Sequence, residues 1–198
     1  KSKVLVFEKG RYDLWTEGAT YKKFFITNTS SESECPSKIK TIGMFFEDME
    51  GLTIEGNGAT LMFHGKVTML AFAHCKKMTL QNIHIDFERP GGSELTFTQI
   101  NEKGAVAKFH PDSRYAINNG KITLYGEGWR TNIPHCIEYN PTTEHFYYSH
   151  AWKALSKAKA TELAPHVVLF ESVDTALCKL NHTLTIRDII RDQVGMLI

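Results

Sequence analysis

The strongest constraint on this chain is an internal repeat. Ile42-Gly43-Met44-Phe45-Phe46, followed by Gly51-Leu52-Thr53-Ile54-Glu55-Gly56, recurs as Thr68-Met69-Leu70-Ala71-Phe72 and Lys77-Met78-Thr79-Leu80-Gln81-Asn82. The offset is 26 residues at each point (68 − 42 and 79 − 53), and it carries Ala59 onto Ile85 and Leu61 onto Phe87. Within each unit, apolar residues alternate with period two. Ile42, Met44 and Phe46 share one face, as do Leu52 and Ile54, then Ala59, Leu61 and Phe63. Amphipathic helices need apolar spacing near 3.6 residues, which these stretches lack. Three short strands per unit, parted by corners such as Gly56-Asn57-Gly58, cannot pair as hairpins and keep a constant offset. They fit a chain that coils and returns to the same place each turn, stacking inward residues rung on rung. A β-sandwich with a chance repeat is the alternative. The expected class is therefore all-β, with parallel β-helix rungs.

The repeat stops after Phe87, at the breaker cluster Glu88-Arg89-Pro90-Gly91-Gly92. Beyond it, Leu95–Ile100, Ala105–Phe109 and Lys121–Tyr125 read as strands, with Glu102-Lys103-Gly104 and Asn118-Asn119-Gly120 as turns. This predicts an inserted small antiparallel module. Residues 151–163 are the one plausible helix, ended by Pro165, and Val167–Phe170 is a further strand. Leu184-Thr185-Ile186-Arg187 then matches Met78-Thr79-Leu80-Gln81 at an offset of 106 (184 − 78). The predicted domains are rungs over 1–92, the inserted module over 93–182, and a resumed rung over 183–198.

Composition narrows the partners. Lys plus Arg number 23 and Asp plus Glu 22 in 198 residues, a net charge of +1. Such balance argues against the basic surface that nucleic acid requires. No apolar run approaches the roughly 18 residues of a membrane span. The chain starts at Lys1 without a signal-like segment, so a trimmed piece of something longer is expected. Cys35, Cys75, Cys136 and Cys178 form no CxxC pair. They allow three disulfide pairings or four unpaired thiols. Nine histidines include no HExxH pattern, and no metal site is expected.

Several segments resemble one family. Gly10-Arg11-Tyr12-Asp13, Ile26-Thr27-Asn28-Thr29-Ser30-Ser31, Glu34-Cys35-Pro36-Ser37-Lys38 and Asp86-Phe87-Glu88-Arg89-Pro90 are similar to the bacterial α-1,3-galactosidases of glycoside hydrolase family 110. So are Tyr125-Gly126-Glu127-Gly128-Trp129 and the run Ile186–Gly195. The resemblance extends from about residue 5 to the end and marks the chain as an N-terminal portion. It implies a right-handed, pectin-lyase-like β-helix with a barrel-like insertion. It also implies an exo-acting, inverting hydrolase that removes terminal α-1,3-linked galactose, as from blood-group B glycans, without a cofactor. A secreted, periplasmic or cell-surface location in a bacterium goes with that activity.

Glycoside hydrolysis requires two carboxylates. The 106-residue offset carries Asp86 onto Asp192, which predicts one outward face and a separation of one strand spacing, about 4.8 Å. That is nearer the roughly 5 Å of retaining enzymes than the 6.5–9.5 Å or so of inverting ones, so one of the pair is expected to act with another carboxylate. Asp86 and Asp192 are the catalytic candidates, and Glu88, Arg89, Asp188 and Arg191 the substrate-binding ones. Against these stand a capped corner at Asp188 and a solvated Glu88–Arg89 pair. Trp15, Trp129 and Trp152 are candidate sugar platforms, with packing as the competing role. Galactose-terminated glycans are the expected partners. An open apolar end near Val194 to Ile198 would favour self-association. The competing classes are a non-catalytic glycan-binding or partner-packing module, and a polysaccharide lyase, for which no acidic Ca²⁺ cluster is present.

Overall fold

Strands supply nearly all the regular structure in the computed structural model, which describes residues 3–24, 37–187 and 194–198. Contacts divide the chain into two units, residues 1–89 with 190–198, and residues 90–189.

The first unit holds β1 (Lys3–Val6), β2 (Arg11–Leu14), β3 (Thr20–Lys23), β4 (Ile39–Glu47), β5 (Leu52–Phe63), β6 (Thr68–Ala73) and β7 (Thr79–Phe87). β4 pairs in parallel with β6, and β5 with β7, so the chain alternates between two sheets. Each repeat comes back to the sheet it left. Ile42 lies opposite Thr68 and Ile54 opposite Leu80, as the 26-residue offset requires. Ile42, Ile54, Ala59, Leu61 and Phe63 are buried, on the faces that alternation assigns. Like residues stack between repeats, as in the parallel rings of Phe46 and Phe72, 5.1 Å apart.

Two expectations are corrected here. Gly56-Asn57-Gly58 is a bulge within one twelve-residue strand rather than a corner between two. Past it the register shifts: Ala59 faces Ile83 and Leu61 faces Ile85, not Ile85 and Phe87. Three residues separate Glu55 from Ala59, whereas only Asn82 separates Gln81 from Ile83. The mismatch is absorbed by left-handed backbone at Asn57, Gly58 and Asn82, conformations that Asn and Gly tolerate. Glu55 secures the step, accepting from Asn57 N at 2.9 Å, Gln81 Nε2 at 2.7 Å and Asn82 Nδ2 at 2.9 Å. β1 and β2 pair in parallel with the two halves of β5, on either side of this bulge.

The second unit is antiparallel. Its strands are β8 (Gly92–Asn101), β9 (Gly104–Phe109), β10 (Arg114–Asn118), β11 (Lys121–Gly126), β12 (Trp129–Thr131), β13 (Cys136–Asn140), β14 (His145–Ser149), β15 (Lys159–Ala164), β16 (Val167–Glu171) and β17 (Thr183–Arg187). A seven-stranded sheet has the order β14-β13-β17-β8-β9-β16-β15, and β10, β11 and β12 form a second sheet. Neither closes into a barrel among the described residues. Leu95, Phe97, Ala107 and Phe170 of the larger sheet and Ile122, Leu124 and Trp129 of the smaller share one core. Asn119 and Gly120, both at positive φ, make the tight turn between β10 and β11 that their sequence predicts.

The predicted helix over 151–163 is confined to α1 (Ala151–Leu155). From Lys159 the chain is captured by the sheet, pairing with β16 across the Pro165-His166 turn. Thr183–Arg187 is also corrected. It does not resume a rung but lies antiparallel between β13 and β8 in the second unit. The return to the first unit comes later, at β18 (Val194–Leu197), where Val194 pairs in parallel with Thr68 and Met196 with Leu70.

Candidate functional site

The outward residues of β2, β5 and β7 form rows across the three parallel strands. Register places Arg11 beside Thr60 and Thr60 beside His84; it likewise places Asp13 beside Met62 and Met62 beside Asp86. One step beyond, Trp15, His64 and Glu88 follow the ends of the same strands, tied by His64 N to Leu14 O at 2.9 Å and Glu88 N to Phe63 O at 3.0 Å. Alternation produces this face. The intervening Leu14, Phe63 and Phe87 turn inward and fix which side chains point out.

A polar network occupies one side of the face. Arg11 Nη2 donates to Asp13 Oδ1 and to Glu88 Oε2, each at 2.7 Å, and Arg11 Nε adds a bond of 3.0 Å to Asp13 Oδ1. The ring of His64, only 5% exposed, donates from Nε2 to Asp13 Oδ1 at 2.8 Å; a carboxylate only accepts, so Nε2 carries the proton. Trp15 lies flat on that imidazole, with centroids 3.7 Å apart and planes within 13°. The Arg11 guanidinium, with a further bond from His64, lowers the Asp13 carboxyl to about 2. Arg11 holds Glu88 below the usual carboxylate range as well. Both stay ionised, as acceptors for hydroxyl donors rather than proton donors.

Asp86 is exposed beside this network, as expected, and its Oδ1 accepts from the backbone N of Phe87 at 2.8 Å. Glu88 pairs with Arg11, across the face, and Arg89 adds only a weaker attraction to it. Asp188, Arg191 and Asp192 lie outside the described residues, as do Asn28 and Cys35. In the sequence, Arg11 and Asp13 stand out only within a family motif and His64 not at all, because His64 reaches Asp13 from 51 positions along the chain.

The other tryptophans differ from Trp15. Trp129 is buried in the core of the second unit, and Trp152 packs against that core and donates to Tyr148 Oη at 3.0 Å. Cys75, Cys136 and Cys178 are free thiols, and burial pushes Cys136 up to about 12 and Cys178 to about 11.

A second titratable cluster sits inside the antiparallel unit. Glu138, 1% exposed, accepts from Ser149 Oγ, from Tyr147 Oη at 2.6 Å and from His182 Nδ1 at 2.6 Å, while Lys179 Nζ donates to Tyr147 Oη at 3.0 Å. Burial alone would raise its carboxyl, but the hydrogen bonds outweigh it and hold the group below the usual range. It ties β13 and β14 to the segment before β17. For metal ligation, the described residues bring donor atoms of Glu47, Asp48 and His74 within 4.8 Å of one another. All three are exposed, and Glu47 is paired with Lys22.

Comparison with known proteins agrees with the motif resemblance. Residues 93–179 match the family model described as GLAA-B beta-barrel domain I. The chain is 54% identical, over its whole length, to alpha-1,3-galactosidase A of Bacteroides fragilis, and covers 33% of that protein. It is 28% identical over 96% of its length to alpha-1,3-galactosidase A of Bacteroides thetaiotaomicron, covering 33% of it. Against alpha-1,3-galactosidase B of Phocaeicola vulgatus it is 33% identical over 83% of its length, covering 26%. The chain thus spans about a third of the length of the curated relatives it matches.

Proposed function

We propose that this chain, similar along its full length to α-1,3-galactosidases, forms part of an exo-acting glycoside hydrolase that removes terminal α-1,3-linked galactose by inversion. The observation that carries the reading is the 54% identity to alpha-1,3-galactosidase A over all of this chain. The two parallel sheets with their 26-residue return support a right-handed β-helix, in which outward side chains of stacked rungs form the substrate face. The antiparallel unit is then the barrel-like insertion. Galactose-terminated glycans, including B-type structures, are its substrates, and it works outside the bacterial cytoplasm without a cofactor.

Asp86 remains the catalytic candidate that the described residues contain. The 106-residue offset that set Asp192 beside it lapses because Thr183–Arg187 is not a rung. Asp192 is therefore kept as a candidate without an assigned neighbour, with Asp188, Arg191 and Arg89 as substrate contacts. Asp13 and Glu88 stay charged, so neither supplies the proton that the leaving oxygen needs. The chain alone is expected to be inactive. The test grafts this sequence over the matched third of the Bacteroides fragilis relative and measures galactose release from galactosyl-α-1,3-galactose. Activity within tenfold of the parent supports the reading, and an inactive but folded hybrid counts against it.

A second reading is a non-catalytic module that pairs with another copy of itself. It is favoured by a cavity of about 380 Å³ whose lining mixes Phe72, Met78, Leu80 and Met196 with His74 and Lys77. Among the described residues, β7 and β18 each end a sheet there. Mass by light scattering that rises with concentration supports this second reading, and a monomer throughout rejects it.

A further inference from the structure

Trp15, one of three candidate platforms in the sequence, is an exposed aromatic on this face among the described residues. Its surface is 55% exposed although one side of the indole is laid on His64. An unsupported surface tryptophan would rotate freely, and a buried one would offer no face. This ring is held still and left open. The imidazole beneath it is buried, bonded to Asp13, and Asp13 is gripped by Arg11, which also holds Glu88. Four side chains from three strands thus fix the plane of one indole.

We propose that Trp15 is a stacking platform for a neutral galactopyranoside, with Glu88 and Asp13 as the hydroxyl acceptors at its edge. The axial 4-hydroxyl of galactose leaves the C3–C4–C5 side of the ring free of polar groups, and such a C–H face packs on an indole. The hydroxyls then project past the ring edge. Glu88 meets Arg11 only through Oε2 among the described contacts, so Oε1 can accept from them. Arg11 offsets one of the two carboxylate charges, and the remaining negative charge suits an uncharged sugar over an acidic one. The platform is a binding subsite and takes no part in bond cleavage. It rests on the galactoside reading above for the identity of the sugar, and on this chain's own geometry for its place.

The test titrates the 198-residue chain with methyl α-D-galactopyranoside and reads the indole N–H signals of its three tryptophans by NMR. The expected result is saturable movement of the Trp15 signal at millimolar sugar, with those of Trp129 and Trp152 unmoved. Trp15→Ala weakens binding by about tenfold or more, Trp15→Phe recovers part of it, and Trp152→Phe leaves it unchanged. Glu88→Gln, which keeps the shape and removes the charge, weakens it by a few-fold. A static Trp15 signal, or equal affinity in a folded Trp15→Ala chain, overturns the platform. This binding result is independent of turnover. An inactive graft with an intact Trp15 titration sinks the hydrolase reading alone, and an active graft without that titration sinks the platform alone.

Discussion

Gly56 is where the two repeats come closest, and replacing it tests the register directly. A Cβ on Gly56 would lie 2.4 Å from both the Asn82 carbonyl oxygen and Ile83 Cβ, and 2.8 Å from Ile83 Cα. Ordinary contact starts at 3.4 Å, so Gly56→Ala requires the β7 backbone to recede by about 1 Å. Two of these obstacles are backbone atoms, which cannot swing aside as a side-chain tip can. Overpacking of this kind costs about 1–3 kcal/mol, while loss of glycine's freedom in the unfolded chain returns about 0.4–1 kcal/mol. The net is a loss of about 1–2 kcal/mol, and for a unit of this size each kcal/mol lowers the melting temperature by about 4–8 °C. Gly10→Ala is the control: no atom lies within 4 Å of its Cβ and its φ is not positive, so its melting point should hold or rise slightly. Scanning calorimetry of the three proteins gives the answer. If Gly56→Ala melts with the wild type, β7 does not cross β5 at the bulge, and the shifted register is wrong.

Other outcomes follow from the two charge clusters and the thiols. Because the folded-state carboxyl of Asp13 is depressed to about 2, its contribution is full above the ordinary value near 4 and vanishes as pH falls through about 2. Its carbon-13 titration should show that midpoint, and Arg11→Gln should move it upward; an unmoved midpoint contradicts the assignment of cause. Glu138 is likewise held below its ordinary range, so the stability it gives the antiparallel unit is present near neutrality and lost in acid. Glu138→Ala strands the Ser149, Tyr147 and His182 donors and should cost about 3 kcal/mol or more by urea unfolding; a loss below about 1 kcal/mol rejects the network. At pH 8, Cys136 and Cys178 should resist iodoacetamide until the chain unfolds, since burial keeps both thiols protonated. Rapid native labelling of either, mapped by mass spectrometry, contradicts their burial.

The parallel pairing of the repeats was legible because a stacked repeat leaves the same apolar alternation at the same interval, as at Ile54 and Leu80. The bulge was not, since Gly56-Asn57-Gly58 and Asn82 differ in length but play one part. Leu184-Thr185-Ile186 misled for a related reason. Period two reports that a strand buries one face and says nothing about which neighbour it finds. In the structure that neighbour is antiparallel β8, where Leu184 meets Leu95. The face around Asp86 and Glu88 was half legible. Their outward direction follows from Ile85 and Phe87 turning in, but Arg11, Asp13 and Trp15 required knowing that β2 lies along β5. The alternation of Arg11-Tyr12-Asp13-Leu14-Trp15 was the available signal. Helix length failed at Lys159 because even the high helix propensity of an alanine-rich stretch is a weak prior that pairing with β16 overrides.

The antiparallel unit begins and ends on adjacent positions, for Gly92 is registered directly opposite Arg187. A hundred residues therefore begin and end as neighbouring strands of one sheet. Loop-closure entropy depends on the distance between anchoring points and only weakly on what hangs between them. A unit whose ends are neighbours adds little more closure cost than a short turn. Units of different size and surface are therefore exchangeable between such neighbouring ends at little cost in closure entropy to the parallel strands.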